Sequence, residues 1–168
     1  GYVTVDGSRE ITLTADGRVI AEALVRRHRL AERMLVDILG IPWHLCHEQA
    51  EDWEKVMTPE VEDAILAKLE GEPTCPHGNP IPGAGGPERD LSALADSEPG
   101  DQVRLERVTE QVEVDLDALV YLDSHGFIPG VDAEVRAKAP DGTLTLALDG
   151  GSIALGPALA SQLYVARV

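Results

Sequence analysis

Apolar residues recur at helical spacing from residue 14 to about residue 70, then at alternating, strand-like spacing after residue 100, with a proline- and glycine-rich stretch between. Ahead of the first helix, the β-prone run Tyr2-Val3-Thr4-Val5, the turn signal Asp6-Gly7 and the return Ile11-Thr12-Leu13 predict a hairpin. An isolated two-stranded hairpin is marginal in water, so it is expected to belong to a larger unit, with Gly1 not the natural start. Thr14 or Asp16 then caps a helix with an apolar stripe from Val19, Ile20 and Leu24 through Leu30 and Leu35 to Ile38, ended by Gly40. Pro42 opens a second helix running through Trp43, Leu45, Ala50, Trp53 and Val56. Thr58-Pro59-Glu60-Val61-Glu62 starts a third, with a cap residue, a proline in the first turn and acids near the positive end of the helix dipole. Ile65, Leu66 and Leu69 form its inner face, and Gly71 with Pro73 stops it.

From Glu72 to Pro99 the composition is that of a linker or long irregular connection. Beyond Gly100, Val103, Leu105 and Val108 alternate, Asp115 to Ser124 has a helical pattern, and Val131 to Ala137, Leu144 to Leu148 and Ile153 to Leu155 alternate again. Pro129-Gly130, Asp141-Gly142 and Gly150-Gly151 are the turns. The expected fold class is α+β: a helical unit followed by a small β-barrel-like module carrying one helix.

Charge narrows the partners. Thirty acidic residues against fourteen Lys and Arg leave a formal net charge of −16, which repels a phosphate backbone overall. Nucleic-acid contact therefore needs a local patch or a further segment. Two cysteines, Cys46 and Cys75, are too few for a disulfide framework. No apolar run is long enough to span a bilayer and no signal peptide is visible, so a cytoplasmic protein is expected.

The chemistry concentrates on the first two helices. His28 and Glu32 are four apart and share a helix face, and the next helix carries His47, Glu48, Glu51 and Glu54. Imidazole and carboxylate on neighbouring helices suit borderline divalent ions: Mn(II), Fe(II), Co(II), Ni(II) or Zn(II). For a single His–Glu pair a solvated face is the commoner explanation; a second helix with its own histidine favours a shared metal site. Glu51 and Glu54 also share a face, yet Lys55 beside them favours a solvated ion-pair surface. Cys75-Pro76-His77-Gly78-Asn79-Pro80-Ile81-Pro82-Gly83 reads as a rigid, tightly turned loop, with no partner pair at zinc-finger spacing. No catalytic arrangement stands out: neighbours on a helix point apart, so Cys46 and His47 imply no dyad, and Gly83-Ala84-Gly85-Gly86 lacks a preceding strand.

Taken together, Arg27-His28-Arg29-Leu30-Ala31-Glu32-Arg33, His47-Glu48-Gln49-Ala50-Glu51-Asp52-Trp53-Glu54-Lys55-Val56-Met57 and Gly78-Asn79-Pro80-Ile81-Pro82-Gly83 resemble, in order and spacing, the diphtheria-toxin-repressor family of metal-dependent transcriptional regulators. The resemblance implies residues 1–13 as the wing of a winged helix-turn-helix, 14–83 as a helical metal-binding and dimerisation domain, 84–99 as a linker and 100–168 as an SH3-like domain similar to ferrous-iron transport protein A. On this alignment the helix-turn-helix that would precede the wing is missing, so the chain alone is not expected to bind operator DNA specifically, and Arg9 is a phosphate contact of the intact protein. His28, Glu32 and His47 look like the helical ligands of the family's ancillary metal site, completed from the SH3-like domain by an acid, with Asp115, Glu113 and Asp117 as candidates in that order. Glu51, Glu54 and Lys55 stand where the primary, activating site has its helical ligands, and a protonated lysine cannot ligate. That site is either weak or lost, or Glu48 or a water replaces the missing ligand. The implied function is repression by a homodimer, governed by Fe(II) or Mn(II), with Co(II), Ni(II) or Zn(II) as possible substitutes. The rival reading is a metal-binding or protein-interaction module with no DNA role; a hydrolytic zinc site on His28, Glu32 and His47 is a distant third.

Overall fold

A computed structural model describes residues 1–69, 74–85 and 90–168. Strands β1 (Val3–Val5) and β2 (Ile11–Leu13) form the hairpin, in register Val3 to Leu13. Helix α1 (Ala15–Arg33) follows, capped by the Thr14 side chain, which accepts from the Gly17 N–H. Its last turn widens into a π-helical segment, Met34–Ile38. Trp43–Leu45 is a single 3₁₀ turn, not the start of an α-helix; α2 proper is Cys46–Trp53 and α3 is Pro59–Leu66. Gly71 and Pro73, the expected stop of α3, lie outside the described residues.

The C-terminal unit is a six-stranded antiparallel sheet in the order β3-β8-β4-β5-β6-β7. Its strands are β3 (Ser92–Ala93), β4 (Gln102–Val108), β5 (Asp132–Lys138), β6 (Leu144–Leu148), β7 (Gly151–Leu155) and β8 (Leu163–Arg167). Three helices, α4 (Glu110–Glu113), α5 (Leu116–Ser124) and α6 (Pro157–Ala160), connect them. The barrel therefore begins at Ser92, inside the stretch whose composition reads as linker, because Ser92 and Ala93 pair with Val165 and Tyr164 and Leu94 is fully buried.

Two apolar cores form. Leu30, Ala31, Leu35, Cys46, Ala50, Met57, Ile65 and Ile81 close the helical one. The barrel core is larger and includes Trp43, which is contributed by the helical unit. The Trp43 indole N–H donates to the Pro76 carbonyl at 2.9 Å, so its polar edge is satisfied while its rings fill the barrel. Only the middle of the apolar stripe from Val19 to Ile38, at Leu30 and Leu35, is buried: Val19, Ile20 and Leu24 are exposed before it and Ile38 after it.

The loop from Thr74 to Gly83 is wedged between the units. Arg26, Arg29 and Arg33, at helical spacing on α1, grip its backbone: Arg26 donates to the Pro82 carbonyl, Arg29 to Pro80, and Arg33 to Thr74 and Cys75. From the other side the Val108 N–H donates to the His77 carbonyl, and the Asn79 amide donates to the Val108 carbonyl. Gly78 makes this approach possible. Its φ is +85°, and an added Cβ would stand 1.9 Å from the Glu106 carbonyl oxygen. Gly83 also has positive φ, but its nearest neighbour would be the end of the Arg26 side chain at 3.6 Å. Gly83→Ala is therefore expected to cost about 1–2 kcal/mol from backbone strain alone. Gly78→Ala should cost clearly more, since backbone must move. Urea unfolding of the two variants checks the order; equal losses would contradict it.

Candidate metal centre

Glu32 is the centre of the site. Its place on α1 puts it against α2 and the Thr74–Gly83 loop, and its side chain has no solvent exposure. Three ring nitrogens converge on its Oε1: His28 Nε2 at 3.3 Å, His47 Nδ1 at 3.1 Å and His77 Nδ1 at 3.2 Å. The second oxygen, Oε2, is buried and has no hydrogen-bond partner among the described residues. His28 Nε2 and His47 Nδ1 are themselves 3.0 Å apart. Glu113, at the end of α4, closes the cage from the barrel side, with Oε2 3.5 Å from His47 Nδ1 and Oε1 3.6 Å from His77 Nδ1. The Asn79 amide donates to Glu113 Oε1 at 2.6 Å and holds that carboxylate in place.

This arrangement fits a divalent cation. Bonds of about 2.1 Å at right or tetrahedral angles place neighbouring donor atoms roughly 3.0–3.4 Å apart, close to the separations across this cage. An ionised carboxylate with an orphaned oxygen in an apolar interior is costly unless something positive satisfies it. Imidazole and carboxylate donors together suit first-row divalent metals.

The electrostatics point the same way. Burial pulls the His28 pKa down, but the hydrogen bonds and charges of Glu32 and Glu54 outweigh it and raise it from 6.5 to about 9. Burial pushes Glu32 up, yet hydrogen bonds from His28, His47 and His77 hold it well below the usual carboxylate range. Glu113 moves the other way, raised by burial and by the negative charge of Glu32. Both cysteines border the cage and are pushed up, first by burial and then by Glu32 and Glu113. Cys46 Sγ stands 3.9 Å from His77 Nε2. Cys75 groups with His77 and Glu113 as a second set of potential donors.

The structure brings His28, Glu32 and His47 together, and Glu54 touches the cage from outside through His28 Nδ1 at 2.8 Å. Glu51 and Glu48 are exposed on the wall of the adjoining cleft, and Lys55 Nζ pairs with Asp52. Asp115, first of the barrel acids expected at the site, is instead the N-cap of α5: its carboxylate accepts from the Ala118 N–H and is exposed. Asp117 is exposed in the first turn of the same helix. Glu113, second in that order, is the acid that faces the histidines. In the sequence His77 belongs to a structural loop, and the one signal that marks it is its position two residues after Cys75. Arg9 lies at the exposed tip of the hairpin with φ +67°.

A helical unit joined to a small antiparallel barrel, with a nitrogen-and-oxygen cage at the junction, is the architecture of a metal-binding protein with its candidate site at the seam. Residues 14–83 match the metal binding and dimerisation domain of iron dependent repressors, and residues 93–167 match the FeoA domain. The chain is 36% identical over 161 residues to the iron-dependent repressor IdeR of Mycobacterium tuberculosis, covering 89% of this chain and 70% of that protein. It is 33% identical over 175 residues to the diphtheria toxin repressor of Corynebacterium diphtheriae, covering 98% and 76% respectively. Among solved structures, a manganese-dependent transcriptional repressor in complex with manganese is 34% identical, with a TM-score of 0.82, covering 94% of this chain and 76% of that one. The chain belongs to the diphtheria-toxin-repressor family of iron- and manganese-dependent regulators. Its relatives are transcriptional repressors, not enzymes. Among the described residues, no helix is long and apolar enough to cross a membrane.

The pKa shifts set a pH window. His28 binds its proton more tightly when folded, so that contribution to metal-free stability is complete below pH 6.5 and is lost as pH rises through about 9. A ligating imidazole must shed that proton, so apparent metal affinity should climb over the same window, by up to about tenfold per pH unit. The expected outcome is a metal-free melting temperature that falls from pH 6.5 to 9, with a saturating divalent ion flattening the profile. Differential scanning calorimetry with and without metal checks it; a flat metal-free profile contradicts it.

Proposed function

We propose that this chain is the metal-sensing part of a cytoplasmic, homodimeric repressor of metal-homeostasis genes, governed by Fe(II) or Mn(II). The observation that carries the reading is the convergence of donors from α1, α2, the Thr74–Gly83 loop and α4 on the buried, half-satisfied carboxylate of Glu32. His28, Glu32, His47, His77 and Glu113 would hold the ion. A bound divalent cation supplies positive charge against two buried carboxylates and fixed bonds to four separate segments. The protein's own residues convert that into shape. His28 and Glu32 fix α1 against α2 through His47, while His77 and Glu113 fix both to the barrel. The hairpin at the N-terminal end of α1 moves with that helix, since Thr14 N–H donates to the Tyr2 carbonyl and Gly17 packs on Tyr2.

In this reading the hairpin is the wing of a winged helix, and Arg9 at its tip contacts a phosphate beside the operator. Two copies pair through the helical domain, whose exposed Val19, Ile20 and Leu24 lie on α1 beyond the helical core. Metal occupancy then biases the spacing of two DNA-reading heads, a shift between two arrangements that the ion can drive only through its unequal affinity for them.

Calorimetric titration with Mn(II), Fe(II), Co(II) and Zn(II) tests the site directly. The wild type should bind, and His47→Ala and Glu113→Ala should each weaken binding by at least about a hundredfold, more than loss of an outer-shell partner. His47→Ala binding as well as wild type would overturn the assignment.

A further inference from the structure

Glu54 sits at the C-terminal cap of α2, where resemblance would make it a ligand of a separate, activating cation. Its contacts give it another task. Glu54 Oε2 accepts a hydrogen bond from His28 Nδ1 at 2.8 Å, with both side chains largely shielded from water, at 15% and 16% exposure. The opposite ring nitrogen, His28 Nε2, faces Glu32 Oε1 and His47 Nδ1. A neutral imidazole carries one proton. With that proton held on Nδ1 by Glu54, the lone pair is on Nε2 and points into the cage.

We infer that Glu54 is a positioning residue, which sets the tautomer and ring orientation of His28, and not a ligand of a second ion. The inference rests on the reading of the cage as a metal site. Three further observations support it. Among the described residues, none of the three-donor clusters includes Glu51 or Glu54. Lys55 also lines the cleft, with its ammonium paired to Asp52, and a protonated amine has no electron pair to offer as a third ligand beside Glu51 and Glu54. Glu51 is exposed, and Glu54 already has one oxygen committed to His28. A carboxylate on the outer nitrogen of a metal-binding histidine raises the ring's basicity and fixes its aim; losing such a partner costs about 10–100-fold in metal affinity.

The test is calorimetry with Mn(II) and Zn(II) on wild type, Glu54→Ala, Glu54→Gln, Glu51→Ala and His28→Ala, with metal-free melting curves to verify folding. Glu54→Ala should keep the wild-type number of equivalents but bind about 10–100-fold more weakly. Glu54→Gln, whose amide oxygen still accepts the Nδ1 proton, should recover most of that loss, and Glu51→Ala should match wild type. In the Zn(II)-loaded wild type, nitrogen NMR should find the His28 proton on Nδ1, and Glu54→Ala should broaden or shift that signal. Loss of one whole equivalent in Glu54→Ala, with the remaining affinity intact, would overturn the inference in favour of a second site. Wild-type affinity in Glu54→Ala together with weakened binding in His28→Ala would overturn it alone. If His28→Ala itself binds like wild type, the cage reading fails and the role of Glu54 with it.

Discussion

A fully buried carboxylate with one unsatisfied oxygen dictates the rest of this structure. Glu32 has no exposure, and its charge is tolerated because three imidazoles surround Oε1, while Oε2 has no hydrogen-bond partner among the described residues. An uncompensated charge in such a place would cost several kcal/mol, so the elements around it are constrained to supply positive or polarisable partners. That constraint recruits residues from all over the chain. His28 comes from one turn earlier on α1, His47 from α2, and His77 from a loop forty-five positions away.

The loop that carries His77 is the hinge of the arrangement. It makes no regular secondary structure beyond an isolated bridge from Thr74 to Pro80, so its position depends on being held from both sides. Arginines of α1 hold it by its carbonyls, and β4 holds it by the Val108 N–H and C=O. Trp43 adds the apolar half of the same junction, packing into the barrel core while its N–H reaches Pro76. The tilted contact of its ring with His77, centroids 4.9 Å apart, ties the apolar seam directly to the cage. Helical unit and barrel are thus joined by a mixed interface whose polar part includes the candidate metal site together with the His44–Asp123 and Arg29–Glu110 pairs.

Much of this was legible in the sequence, for local reasons. His28 and Glu32 are four apart on one helix, and His47 follows on the next, so period and proximity suffice to bring them together. The barrel acid was not so easily chosen, because Glu113-Val114-Asp115 offers two carboxylates in one short stretch. The chain breaks between α4 and α5 there, and Asp115 precedes an apolar helix where a cap is wanted, which uses its carboxylate and leaves Glu113 to face the histidines. The partners of His77 and Trp43 escaped because they are distant in sequence: nothing in a proline-rich loop announces a carboxylate on α1, and nothing in Trp43-His44-Leu45 announces a β-barrel. Strand β8 did carry a signal, with Leu163 and Val165 alternating inward, but it followed the last recognised turn. Periodicity also marked Val19, Ile20 and Leu24 as an apolar face without telling that the monomer leaves it uncovered.

The two carboxylates of the cage explain why one ion can matter to the whole molecule. Glu32 belongs to the helical unit and Glu113 to the barrel, and each raises the proton affinity of groups near the other: Glu113 is pushed up partly by the charge of Glu32, and both buried thiols are pushed up by the pair. Without a cation, closing the barrel onto the helices brings like charge together, offset by a proton on His28. A divalent ion reverses the sign of that interaction, so that the closer the domains sit, the better both carboxylates are satisfied. An ion binding only α1 and α2 could stiffen that pair and leave the barrel indifferent. Because Glu113 stands on the barrel side of the seam and is oriented across it by the Asn79 amide of the intervening loop, an ion held by both carboxylates would couple its affinity to closure of the seam, each strengthening the other.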